Sequence, residues 1–493
     1  MFALSICNSL FVLLDGTSVL VFIVTFLLIY WSTRRHPGIP PGPGRWPIIG
    51  NLGSLAGPDK LKVFRDLRCK YGDVFALYFG SELTVVLNGY EAIKDAFLKQ
   101  GRYFSFRPEN DFTARSITTD LVFGNGPEWK AKRAYIMNAF RDICFIRNGA
   151  VLEKIVHEEL DLLIDDITHI EKPFCPRKTM SLSFASVMFN ILHGKRPERG
   201  DKRFQWYLDE LDLGFQRFLN TQLRHYCFPW LDKLPGDLLL LQYTSDKSAK
   251  TIEYFDEVFK QREMNALQGS RDCLLDFFLS EDSPLARDEI WKCHHDLMAA
   301  GSETSATTLN WMILFLALYP EVQAKLHAEI TRTIGKTLPA IRDRSEIPYV
   351  EAVILETLRI GSNVPLAVPH FVKEDVSFRG FLIPNGTTII ANVTSVHHDP
   401  SVFPDPFAFR PERFLDESGR VLQASEQVIP FSMGQRSCIG ESIARIELFL
   451  YVTRIVQNVE FKLPAGCKRP TLNGVFGITY RPEDYNVDIA KRN

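Results

Sequence analysis

Residues 430–441 read PFSMGQRSCIGE. Cys438 lies between Gly434 and Gly440, Arg436 stands two residues before it, and the apolar run SIARIELFLYVTRIV follows at once. That run has helical spacing, which puts Cys438 at the mouth of a helix. There the helix dipole and free backbone N–H groups stabilise a thiolate, so the pKa is expected to fall. The glycines let the backbone turn tightly and approach something flat and bulky. A low-pKa cysteine can be a nucleophile, a metal ligand or a redox thiol. A nucleophile needs a base nearby, and none is evident locally. A redox site needs a second cysteine, and Cys467 is too far along the chain to make a motif. A single thiolate holding haem iron fits the glycines, with Arg436 able to pair with a haem propionate. The other eight cysteines are scattered and contain no CxxC pair, so they read as reduced structural residues.

Four further groups could act around such a centre. Glu303 and Thr304, in AAGSETS, could pass a proton to a reacting oxygen. Taken alone, a Glu–Thr pair in a helix reads as solvated. Glu356 and Arg359, in ETLR, fall on one helix face among apolar neighbours, so they are expected to be a buried pair that must be hydrogen-bonded. Trp129 and Arg133, in EWKAKR, also share a face, and both can donate to a carboxylate. Arg107 in FSFRP, His370 in VPH and Arg413 in PERF complete the candidates.

FSMGQRSCIG matches, position by position, the FxxGxRxCxG haem signature of the cytochrome P-450 superfamily. The chain resembles a microsomal, family-2-like member over essentially its full length. The resemblance implies haem b (iron protoporphyrin IX) with Cys438 as the iron ligand. It implies a proton relay at Glu303 and Thr304, and propionate contacts from Trp129, Arg133, His370, Arg436 and Arg107. It also implies a structural trio of Glu356, Arg359 and Arg413. Glu303 in place of Asp, and SIAR after Gly440, are mild departures from the family pattern.

These groups must be positioned by a body that is mostly helical. Helical periodicity covers 128–140, 150–165, 203–220, 250–265, 288–319, 321–334, 348–360 and 440–457. The segment 288–319, ended by Pro320, would run about 48 Å and cross a whole domain. Residues 73–89 read as two strands around a GS turn, and short strands are expected at 366–393 and in the C-terminal tail. The expected class is mainly α with a small β region, in the P-450 fold, preceded by one transmembrane helix. That helix is expected within Leu10–Trp31, a nearly uncharged run of about 22 residues. Arg34 and Arg35 follow it and no Lys or Arg precedes it, which places the body in the cytosol. The expected divisions are 1–33 as membrane anchor, 34–56 as a stiff Pro/Gly-rich linker, and 57–493 as the haem-thiolate domain. The net charge of -2 gives no pull toward nucleic acid.

The resemblance implies a monooxygenase that inserts one atom of O2 into a lipophilic fatty acid, steroid or xenobiotic. Electrons would come from NADPH through an FAD/FMN flavoprotein reductase, with cytochrome b5 as a further partner. The endoplasmic reticulum membrane is the expected location. Lys130, Lys132 and Arg141 could form part of the reductase's docking face. The pocket would draw on Phe104–Phe123, Ala299–Thr304, Val364–Ala367 and Val475–Ile478, including Phe106, Phe112, Leu366 and Phe476, with Arg115 as its one candidate charge. Residues 228–243 are expected to dip an apolar patch, Leu238–Leu241, into the membrane surface. Two alternatives stay open: a haem-thiolate enzyme that rearranges peroxides without a reductase, and a non-catalytic haem-binding protein.

Overall fold

The computed structural model describes residues 16–33, 35–55, 57, 59–109, 120–145, 149–170, 172–267, 271–422 and 426–492. Helices of six residues or more are numbered in chain order. They are α1 Gly16–Thr33, α2 Lys60–Tyr71, α3 Gly126–Cys144, α4 Ala150–Thr168, α5 Pro176–His193 and α6 Lys202–Cys227. After these come α7 Leu241–Leu267, α8 Leu274–Leu279, α9 Arg287–Leu318, α10 Pro320–Thr333, α11 Pro348–Gly361 and α12 Glu441–Asn458. The eight periodic segments of the sequence correspond to α3, α4, α6, α7, α9, α10, α11 and α12. The architecture is mostly helical with a small β region.

α9 spans the core. Its first turn is closed by Glu289, whose carboxylate accepts from the Ala286 amide at 2.8 Å. Pro320 ends it and opens α10, because proline is tolerated at a first helical position but not in a helix interior. α5 carries no polar stripe, since it is buried on nearly every side against α9 and α4, so its sequence shows no amphipathic period. Gly301 makes this packing possible. A Cβ there would approach the Met188 sulfur of α5 to 2.6 Å. The glycine therefore lets α5 and α9 pack closely.

The strands are β1 Val74–Phe79, β2 Glu82–Asn88, β3 His370–Phe371, β4 Val376–Phe378, β5 Phe381–Ile383, β6 Thr388–Asn392, β7 Val459–Lys462, β8 Gly474–Phe476, β9 Tyr480–Pro482 and β10 Asp488–Lys491. β1 and β2 form the expected hairpin, with Phe79 opposite Glu82. β2 pairs parallel with β6, and β3 closes the sheet in the order β1-β2-β6-β3. This sheet brings His370 beside the 104–107 segment, where the Phe371 amide donates to the Phe106 carbonyl at 2.9 Å. β8 and β9 form a hairpin, and β10 pairs with β7.

The Pro-rich segment does not hang free as a spacer. The Ala76 amide donates to the Pro41 carbonyl, and Asn51 holds the Tyr78 amide and the Gly44 carbonyl. Arg35 donates to the carbonyls of Pro43 and Ala76, so it folds onto the body. Among the described residues no helix is long and apolar enough to cross a membrane. The 18 residues of α1 rise about 27 Å, short of a hydrocarbon core of about 30 Å. Residues 10–15 of the apolar run lie outside the described residues.

Candidate haem-thiolate site

Cys438 stands between a 3-10 turn at Gly434–Arg436 and α12. Its amide donates to the Phe431 carbonyl at 2.9 Å, closing the loop. Gly434 has φ 78° and a Cβ there would run into the Phe97 carbonyl, so only glycine fits. The thiol keeps exposed surface although it lies deep among the core elements. Ala300 keeps exposed surface too, in the middle of α9, between buried Ala299 and half-buried Gly301. Exposed side chains this deep line interior space. The Cys438 pKa is raised, against the sequence expectation. Burial dominates, and the amides of Gly440 and Glu441 offset it only in part. A bound cation would reverse this balance, because coordination deprotonates a thiol.

Beside the cysteine lies a cluster of cations. Arg436 donates from Nε to the Ser105 carbonyl at 2.7 Å, and from Nη2 to the Gly124 carbonyl at 2.7 Å and to Asn125 Oδ1 at 3.0 Å. Its Nη1 is buried with no hydrogen-bond partner. Its guanidinium lies 3.4 Å from the centroid of the Trp129 ring. Arg107 is buried and donates to the carbonyls of Val122, Val368 and Pro369. Arg133 donates to the Ser437 carbonyl at 2.6 Å. No carboxylate pairs with any of the three among the described residues. Burial lowers all three pKa values; repulsion from the neighbouring guanidiniums adds to it for Arg107 and Arg436, the latter falling to about 9, while Cys438 offsets it in part for Arg133. Two buried guanidiniums and the half-buried one of Arg133, without an anion, fit the two carboxylates of a haem, and the exposed thiol fits its iron.

Two candidates carry qualifications. The Trp129 indole N–H already donates to the Leu121 carbonyl at 2.9 Å, so this residue faces the cluster with its ring. His370 sits 2.6 Å through Nδ1 from the Phe104 carbonyl and stacks on Phe97. A carbonyl can only accept, so Nδ1 carries the proton. The remaining nitrogen becomes a donor only if the ring takes a second proton. Burial and Arg107 hold the His370 pKa well below normal, so an anion would have to arrive first.

Glu303 and Thr304 diverge on α9. The Thr304 hydroxyl donates to the Ala300 carbonyl at 2.7 Å, and Asn363 donates to the Thr304 carbonyl at 3.0 Å. Glu303 is buried and accepts from Thr307 at 3.2 Å and Thr479 at 3.4 Å. It lines a small polar pocket with Arg177, Asn310, Arg481 and Asp484. Its pKa is raised to about 7, first by burial and then by Asp212, with Thr307, Arg481 and Arg177 opposing.

Glu356, Arg359 and Arg413 form one hydrogen-bonded trio. Arg359 grips Glu356 with two bonds of 2.7 and 2.9 Å, and Arg413 donates to it at 3.1 Å. Glu356 and Arg359 have no exposed side-chain surface. The remaining guanidinium donors take the carbonyls of His397, Pro406, Pro404 and Ala408.

Sequence reasoning missed Asp296, a buried α9 carboxylate that accepts from the amides of Leu121 and Val122 and fixes the turn under Trp129. It also missed Asn125, which joins Arg436 to the Arg107 backbone. Neither belongs to a motif that could have marked it. Lys132 is not a free basic residue, since it is paired with Glu289 and Asp120. Phe112 and Arg115 lie outside the described residues.

The sequence model of cytochrome P450 matches residues 40–489. Curated relatives align along nearly the whole chain. Human cytochrome P450 2U1 is 31% identical, covering 94% of this chain and 92% of its own length. Rat cytochrome P450 2D4 is 34% identical, covering 96% and 97%. Human cytochrome P450 2C8 is 35% identical, covering 95% and 98%. With the cysteine loop and cation cluster in place, the chain belongs to the cytochrome P450 family of haem-iron monooxygenases.

Proposed function

We propose that this protein hydroxylates or otherwise oxygenates a small lipophilic substrate, with Cys438 as the thiolate that would hold haem iron and electrons delivered from NADPH by a flavoprotein reductase. The observation that carries this reading is the cluster of buried Arg107 and Arg436 with half-buried Arg133, none paired with a carboxylate among the described residues, beside an exposed cysteine at a helix mouth. Haem bound there supplies dioxygen activation and transfer of one oxygen atom to the substrate. Arg107, Arg133 and Arg436 would hold its propionates, with the Trp129 ring packed against the Arg436 guanidinium. His370 joins them once protonated. Glu303 holds a proton near neutrality, and Thr304, which diverges from it on α9 and donates to the Ala300 carbonyl, would receive that proton only through bridging water before passing it toward the interior space. Phe106, Leu366 and Phe476, all part-buried, give that space an oily lining.

Residues 1–33 act in this reading as a membrane anchor, with the body on the cytosolic face of the endoplasmic reticulum. Trp230, Leu234 and Leu238 are exposed on the 228–243 segment, which supports a surface that touches lipid, while Leu239 is buried and belongs to the core. Replacing Trp230, Leu234 and Leu238 with Ser should reduce membrane retention of a chain lacking residues 1–33; unchanged retention would remove this contact. Exposed Lys130 and Arg141 remain available to an acidic reductase face.

The deciding experiment compares wild type with Cys438→Ala as the reduced, carbon-monoxide-bound protein, then supplies NADPH, reductase and a panel of lipophiles. A far-red-shifted Soret band that the variant loses, with NADPH-dependent product, is the expected outcome. Product formed from peroxides without NADPH would instead favour rearrangement chemistry.

A further inference from the structure

Asn125 stands at the position where such a side chain ordinarily caps a helix, the one before α3, yet it makes no capping hydrogen bond. Its side chain is spent beside the cation cluster instead. Oδ1 accepts from the Arg107 amide at 2.8 Å and from Arg436 Nη2 at 3.0 Å. Nδ2 donates to the Arg107 carbonyl at 3.1 Å and to Glu109 Oε1 at 2.8 Å. A carboxamide offers two lone pairs and two N–H bonds, so this side chain is saturated and fits in one orientation only. The turn that carries it is held firmly. Asp296 accepts from the amides of Leu121 and Val122, and at Gly124 a Cβ would run into the Asp120 carbonyl.

Asn125 therefore lies between a buried cation and an exposed anion. Glu109 is two residues from Arg107 in the chain, but its carboxylate is drawn outward to Lys373 at 2.8 Å. Lys373 lies in turn over the Phe106 ring, 5.2 Å from its centroid. Lys373 first, and then Asn125, hold Glu109 below its usual pKa against the effect of burial. The charges that act on Arg107 and Arg436 are those of the other guanidiniums. Asp120, at the start of the same turn, is paired with Lys132. Helix formation does not explain the amide at this position. Aspartate caps a helix as well as asparagine does, and its charge suits a helix N-terminus better. The cation cluster does explain it, because a carboxylate in this place would neutralise Arg436 from within the protein.

We propose that Asn125 is a neutral spacer which, with Lys373, keeps the Glu109 carboxylate off Arg107 and Arg436 and so reserves these cations for an anion from outside, the haem carboxylates. Asn125 is then a positioning residue that acts through Arg436. The inference rests on the reading of the cluster as a haem-carboxylate site.

The test is Asn125→Asp in the full-length chain, with two readouts. One is the rate of haem transfer from the loaded protein to an excess of a tighter haem-binding protein. The other is the melting temperature of the haem-free form. The added carboxylate takes Arg436 for itself, so haem should leave about tenfold faster, the worth of one charge-assisted bond. The haem-free variant should melt no lower than wild type, since a buried cation has gained its anion. Asn125→Ala removes the same bonds without adding charge, and should speed haem loss less than Asn125→Asp while melting lower in both forms. The double variant Asn125→Asp, Glu109→Gln removes repulsion between the two carboxylates. It should keep the fast haem loss, and it decides the matter if that repulsion unfolds the single variant. Haem loss within twofold of wild type in both aspartate variants, or haem-free forms destabilised as much as Asn125→Ala, overturns the spacer. A wild-type chain that takes up no haem sinks the functional reading instead, and the haem-free melting comparison still tests the spacer.

Discussion

Two buried arginine clusters flank the core, and they are built in opposite ways. Around Glu356, every strong donor of Arg359 has a partner, and a carboxylate joins two guanidiniums. Around Trp129, three guanidiniums crowd together with backbone carbonyls and an amide oxygen for company, and Arg436 Nη1 has none. The first cluster is closed within the protein, so its charges serve the fold. The second is incomplete as protein, because unpaired buried cations are costly, and an anion from outside would complete it. The contrast separates a structural ion network from a binding site without reference to sequence motifs.

The largest expected effect comes from breaking the closed cluster. Glu356→Ala leaves two buried guanidiniums uncompensated, and should cost about 3–5 kcal/mol in a urea unfolding experiment on the haem-loaded protein. A loss under 1 kcal/mol would mean that the backbone carbonyls suffice. Next is Arg436→Leu, whose effect should change sign with loading. Without haem, the variant should melt no lower than wild type, since a repelled cation has gone. With haem, dissociation should speed up by about 10- to 100-fold, the worth of one to two charge-assisted bonds. Equal destabilisation in both forms would make Arg436 an ordinary structural arginine.

The smallest effect sharpens the comparison with a third buried cluster, one that carries no charge. His193 and His294 meet through their Nε2 atoms at 2.9 Å between α5 and α9. His193 Nδ1 faces the Phe189 carbonyl and carries the proton, so His294 must donate in the pair. Burial lowers both pKa values, that of His193 to about 3. Folded-state pKa values below the unfolded value mean that stability is fully present above about pH 6.5 and declines as pH falls below it. The slope should reach about 1.4 kcal/mol per pH unit for each imidazole. His294→Phe should lessen the acid-side slope in unfolding midpoints, and an unchanged slope would place the acid sensitivity elsewhere.

The sequence was most legible where function demands a local arrangement. The cysteine loop needs its residues at fixed spacing because turn, amide and thiol are contiguous, and so FSMGQRSCIG is readable as it stands. Amphipathic helices announced themselves by period, whereas α5 was hidden by burial on all sides and α2 by its many charges. Glu356 and Arg359 were readable because one helix turn brings them together. Glu303 and Thr304 could be named but not oriented, since adjacent helical residues point about 100° apart and only packing decides what each one meets.

By itself, then, the sequence determined the cysteine loop, the helical body and the family. The identity of the Glu303 surroundings was decided only by tertiary structure, since Arg177, Asp212 and Arg481 lie on three elements far apart in the chain. So was the spending of the Trp129 N–H on Leu121, and so was the pairing of Lys132. The Cys438 pKa shows the physical reason most plainly. A helix mouth alone predicts a lowered value, but desolvation is set by every element packed around the thiol, and here it outweighs the local amides.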